Sequence, residues 1–156
     1  MSEHTAIQDL YPDPFAVCYG CGRLNPHGLH FQTYREGDET VTRYTPQPYH
    51  TAIEGYVYGG LIASLIDCHG TGSAAIFAAE ARGIDLTREP PPRFVTGSLR
   101  VDFLKPTPLG VPLEVRGRAK EIRGRKVVVL AELYADGVLT ARGEVVAVEV
   151  PETFGA

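Results

Sequence analysis

The sequence predicts an α+β protein in which one long helix packs against a curved antiparallel sheet of about six strands. Three observations carry this. From Gly59 to Arg82 apolar side chains recur at three- and four-residue spacing without a proline. After Phe94 nearly everything alternates apolar and polar residues, the period of a half-buried strand. Turn signals such as Arg123-Gly124 and Asp136-Gly137 cut that alternation into strands.

Taken in order, residues 1–17 hold Pro12, Pro14, several polar residues and no period, so they read as a lead-in segment that packs on the body or stays mobile. From Gly28 to Thr45 the runs GLHFQTYRE and TVTRYT alternate around Gly37-Asp38, predicting a hairpin of two short strands. Pro46, Pro48 and the closing Gly55 make 46–57 a loop. The helix follows, with Leu61 and Leu65, then Ile62, Ile66 and Ile76, recurring on its apolar side and Gly83 closing it. Its 24 positions reach about 36 Å at about 1.5 Å per residue, so a sheet must wrap around it. Three consecutive prolines make LTREPPPR a crossover loop. Four strands complete the chain: FVTGSLRVDFL, PLEVRGRAKEI, KVVVLAELYA and VLTARGEVVAVEV. The order is β-β-α-β-β-β-β, with one domain expected over 18–150 and a tail at 151–156.

A net charge of -4, with the fifteen Lys and Arg spread along the chain, supplies no basic field for nucleic acid. No uninterrupted apolar run approaches the length of a membrane span and the first residues hold no signal-peptide core, so no membrane partner and a cytoplasmic location are expected. Three cysteines cannot all pair within one chain, which favours reduced thiols.

On the helix, Gly60, Ala63, Asp67, Gly70 and Ala74 fall on one stripe, so a lone acid is flanked by very small side chains. Two readings stand. The small residues let another element pack tightly around a satisfied Asp67, or the carboxylate is aimed at a substrate laid across the glycines. Gly59-Gly60 opens the helix, where free N–H groups and the positive dipole end can hold an oxyanion.

The run Gly55-Tyr-Val-Tyr58-Gly59-Gly60-Leu-Ile-Ala-Ser-Leu-Ile-Asp67, followed by Val95-Thr96-Gly-Ser-Leu-Arg-Val-Asp-Phe-Leu-Lys-Pro106, resembles the hotdog-fold thioesterases of the phenylacetate-degradation type. The opening Cys18-Tyr-Gly-Cys21-Gly-Arg-Leu-Asn25-Pro26-His-Gly28-Leu29 resembles the start of a subset of them, so the likeness covers about residues 18–150. It implies hydrolysis of an acyl-CoA-like thioester to free acid and thiol, with Asp67 as general base or nucleophile, the Gly60 amide as oxyanion donor, Gly59 beside it, and Thr96 placing water. It also implies a site built between subunits, with Thr96 and Asp67 able to come from different chains, hence a homodimer or homotetramer. Tyr58 stands where the family has histidine, and Ala52 where many members carry Asn or Gln. A tyrosine hydroxyl can substitute as a donor from a longer, rigid ring, or block. A non-catalytic acyl-thioester binding protein is therefore the alternative.

Four further sets of residues complete the expectations. His50, in the loop before the helix, enters the substrate site or is solvated or caps the loop. His69 lies about 200° around the helix from Asp67 and is structural or at a subunit contact. Arg125 and Lys126, with Arg123 at one hairpin tip, resemble a phosphate-steering turn for coenzyme A or are solvated charges. Cys18, Cys21, His27 and His30 have spacing that suggests zinc, and with it an interaction module, but His27 and His30 would face apart in a strand, so no metal and no cofactor is expected.

Overall fold

The computed structural model describes residues 2–151 and Phe154; the rest of the tail expected at 151–156 lies outside the described residues. Six strands and one long helix follow the predicted order: β1 Thr33–Glu36, β2 Glu39–Tyr44, α1 Gly59–Arg82, β3 Phe94–Phe103, β4 Leu113–Arg123, β5 Lys126–Ala135 and β6 Val138–Glu149. Every neighbouring pair is antiparallel, in the order β1-β2-β4-β5-β6-β3. This is the hotdog arrangement: α1 lies along one face of the sheet and touches all six strands. Register shifts at Thr96/Ser98, Ala119/Glu121 and Leu133/Tyr134 let the sheet curve around it.

The helix ends where Gly83 takes a left-handed conformation, φ +65°, and its N–H closes on the last carbonyls. At one end of the core Leu61, Leu65 and Ile66 pack with Val115, Leu133 and Val145; at the other Ala75 and Ile76 pack with Ile7, Phe94 and Val129. By mean hydropathy α1 is long and apolar enough to cross a membrane, although no uninterrupted apolar run suggested it. Within this fold 83% of its most apolar window is buried.

Near the start of the chain one of two open readings is decided and one expectation changes. The lead-in packs on the body through short 3-10 turns at Ile7–Leu10 and Asp13–Phe15 that bury Ile7, Tyr11 and Ala16. The first strand begins at Thr33 rather than Gly28. His30 has φ 57° and its Nε2 lies 2.6 Å from the Asn25 carbonyl oxygen, so the backbone turns back where alternation alone suggested a strand.

The sheet has unequal edges. β1 offers four residues, whereas β3 offers ten. On the helix side of β3, Thr96, Leu99, Val101 and Phe103 stand opposite Ala147, Val145, Gly143 and Ala141 of β6. Leu99 and Phe103 of that row remain 39% and 56% exposed.

Candidate active site

Between α1 and the edge strand β3 the predicted residues gather in two groups. Asp67, at mid-helix, accepts a short hydrogen bond on Oδ1 from the Thr96 hydroxyl of the same chain. Expectation allowed these two side chains to come from different subunits, but here one chain supplies both. The reason is register: Thr96 sits on the helix side of β3 beside its bulge, facing the exposed flank of α1. Burial raises the Asp67 carboxyl above the usual carboxylate range, while the Thr96 hydroxyl pulls it back and Cys18 adds to the rise.

The small-residue stripe splits along its length. Gly60, Ala63 and Asp67 are half-buried, but Gly70 is fully packed, since a Cβ there would lie 2.5 Å from the Val145 side chain. Close packing therefore accounts for the far end of the stripe, and only the first half stays partly exposed beside β3.

The second group is the helix start. Gly59 and Gly60 lie in the first turn, whose N–H groups have no partner within a helix. The Tyr58 ring lies across Gly60, since a Cβ there would meet its Cε2 at 2.4 Å and its hydroxyl at 2.6 Å. Tyr58 itself remains 55% exposed. Phe103 of β3 lies against Gly59. A cleft of about 340 Å³ opens here, lined by Gly59, Ile62, Phe103 and Lys105 among others. A larger hollow of about 440 Å³ lies on the outer face of the sheet, between Arg43, Glu114 and Tyr134. It holds none of the predicted residues and is walled by surface ion pairs, so the helix-start cleft is the better candidate.

The two groups do not meet within a chain. Gly60 and Asp67 are seven residues apart, about 10 Å along a helix at about 1.5 Å per residue, too far to act on one carbonyl.

His50 stays in its loop. Its Nδ1 accepts from the Gln47 N–H at 2.9 Å, its ring packs on Tyr49, and its carbonyl oxygen accepts the Tyr58 N–H at 2.9 Å. Ala52 is exposed in the same loop. Arg125 donates to the Glu149 carbonyl at 2.8 Å and Lys126 faces Glu121 at 3.6 Å. Lys126 is level with Val148 and Val95, two strands and about 10 Å from the Thr96 edge, so this tip flanks the groove without entering it.

His69 is buried against β2 rather than at a surface where a subunit could reach it. Its Nδ1 lies 2.8 Å from the Thr42 hydroxyl and its Nε2 3.3 Å from that of Ser73. Burial pushes the ring down to about 3, so it is neutral. The bonds then run in one direction. Gln8 donates to Thr33 at 3.0 Å, Thr33 to Thr42 at 2.9 Å, and Thr42 to His69 Nδ1. His69 Nε2–H donates to Ser73, Ser73 to Thr40 at 2.7 Å, and Thr40 to the Gly117 carbonyl at 3.4 Å.

Sequence reasoning grouped Cys18 and Cys21 with His27 and His30. The structure leaves both histidines exposed and sends Cys68, the neighbour of Asp67, to the two cysteines instead. The signal was a third thiol one residue beyond the helical acid.

The profile of the thioesterase superfamily matches residues 54–148. A structure of a thioesterase superfamily protein from Shewanella loihica PV-4 is 50% identical, with TM-score 0.65 over 81% of this chain and 96% of that one. A phenylacetic acid degradation-related protein from Ralstonia eutropha JMP134 shares the fold at 22% identity, TM-score 0.62, over 78% of this chain and 86% of that one. Acyl-coenzyme A thioesterase THEM4 of Xenopus laevis is 31% identical over 87 residues, 56% of this chain and 33% of the relative, so the chain aligns with about a third of that protein.

Proposed function

The chain belongs to the thioesterase superfamily, and from that premise we propose that it hydrolyses acyl-CoA-like thioesters to a free acid and a thiol. The observation that carries the reading is the half-buried Asp67 carboxylate, held on Oδ1 by the Thr96 hydroxyl, with no hydrogen bond on Oδ2 among the described residues. In this reading Oδ2 takes a proton from water, and the water oxygen bonds to the thioester carbonyl carbon. The carbonyl oxygen gains the charge, which the Gly60 N–H of a second copy receives, and the C–S bond then breaks as the thiolate leaves and is protonated. Direct attack by Oδ2, with water opening the resulting anhydride, uses the same atoms. Thr96 acts by orienting the acid.

A second copy is part of the proposal because of the distance between Gly60 and Asp67 along the helix. The long open edge of β3, with Leu99 and Phe103 exposed beside the groove, supports a homodimer or homotetramer. The acyl group would enter the cleft beside Phe103, and Arg125 and Lys126 would lie at the rim for the phosphates of coenzyme A. A cytoplasmic location remains part of the proposal.

The test is release of free thiol from a panel of aliphatic and aromatic acyl-CoA thioesters. Turnover of at least one, with sedimentation as a dimer or larger, is expected. The Tyr58 ring across Gly60 favours one alternative, a groove that binds acyl thioesters without cleaving them. Saturable binding with no thiol release from any member of the panel would establish that instead.

A further inference from the structure

The lead-in docks on α1 by bringing three sulfurs together. Cys18 and Cys21 come from one tight turn and Cys68 from the helix, and all three Sγ atoms lie within 4.8 Å of one another. All are free thiols. Around a metal with metal–sulfur bonds of about 2.3 Å in tetrahedral directions, thiolates stand about 3.8 Å apart, so a contraction of less than about 1 Å would complete such a set.

The turn is shaped to present sulfur. The Gly22 N–H donates to the Cys18 carbonyl at 2.7 Å and the Phe31 N–H to the Gly20 carbonyl at 3.0 Å, locking the loop. A Cβ on Gly20 would sit 2.4 Å from Cys68 Sγ, so the backbone closes directly over the third thiol. A further polar group stands nearby: Tyr11 is buried and its hydroxyl has no hydrogen-bond partner among the described residues. A phenol so placed is suited to donate to a sulfur carrying negative charge. Cys18 is half-buried and also lines a small cleft with Val17, Arg93 and Val95, leaving room for a fourth ligand from solvent.

We propose that Cys18, Cys21 and Cys68 form a tris-thiolate site for a thiophilic metal ion, Zn²⁺ or Cu⁺, that pins the N-terminal segment to the catalytic helix. Soft thiolate sets select such ions, and binding replaces thiol protons with metal–sulfur bonds without any electron transfer. His27 and His30 take no part. The proposal does not rest on the hydrolysis proposed above, because the site's sulfurs need not touch the substrate.

The test uses the full chain, reduced and stripped of metal. Zn²⁺ and Cu⁺ are titrated separately against chromophoric chelators, and Co²⁺ serves as a spectroscopic probe for thiolate-to-metal charge transfer. One equivalent of Zn²⁺ or Cu⁺ is expected, with a rise in unfolding temperature on binding. Cys68→Ser and Cys18→Ser should each weaken binding by 100-fold or more, and the His27→Ala, His30→Ala double variant should leave it unchanged. Cys18→Ser, at a half-buried turn position, keeps the comparison usable if Cys68→Ser does not fold. Failure of the reduced wild-type protein to bind either ion would overturn the proposal, as would unaltered binding in both serine variants. So would a disulfide between any two of the three in protein as isolated that binds no metal after reduction.

Discussion

A raised carboxyl pKa carries a definite meaning at Asp67. Burial costs the ionised form more than the Thr96 hydrogen bond returns, so the folded chain holds this charge at the expense of stability. Asp67→Asn keeps the shape and the hydrogen-bond acceptor but removes the charge. Its thermal midpoint should therefore hold or rise, while kcat falls by about 10²–10⁴-fold, the usual cost of a lost general base. Calorimetry beside steady-state kinetics checks both, and an unchanged kcat would move the chemistry elsewhere. At Tyr58 the expectation is that histidine holds or raises turnover, because a smaller ring would uncover Gly60 while remaining a donor. Asp67 and the glycines were legible because a lone acid among small residues on one helical face is rare. The Cys68 partnership was not, because it joins positions about fifty residues apart in the chain through the docking of a loop that has no period of its own.

The helix and the four C-terminal strands lie where their periods placed them. Twelve- and ten-residue alternations leave one register that buries the apolar face. The first strand was overread because GLHFQ alternates while its backbone is turned by His30, and alternation cannot report a left-handed residue. The polar chain through His69 was hidden for a related reason: Thr33, Thr40 and Thr42 occupy the inward phase of β1 and β2, where a pattern expects apolar residues. Its value is testable at Thr42. Thr42→Val preserves shape but leaves His69 Nδ1 and the Thr33 hydroxyl without their partner, which costs about 1–3 kcal/mol when a buried group is orphaned. Urea unfolding should show the midpoint falling with an unchanged slope. An unshifted midpoint would mean that the chain of bonds is dispensable.

At the scale of the molecule, the fold separates Gly60, the proposed oxyanion donor, from Asp67, the proposed base, by seven helical residues and leaves β3 open as a sheet edge, so the account depends on a second copy. Subunit complementation tests this most directly. Gly60→Pro removes the N–H in the first helical turn, where the backbone accepts proline once the exposed Tyr58 ring swings aside, and Asp67→Asn removes the proposed base. Each variant alone should be nearly inactive in thiol release. Mixed in equal amounts and allowed to exchange, half of the dimers become hybrids, each with one site that has an intact Gly60 from one chain and an intact Asp67 from the other. The account predicts recovery of about a quarter of wild-type activity, as two-fold symmetry requires. A mixture that exchanges subunits yet stays as inactive as its parents would contradict it.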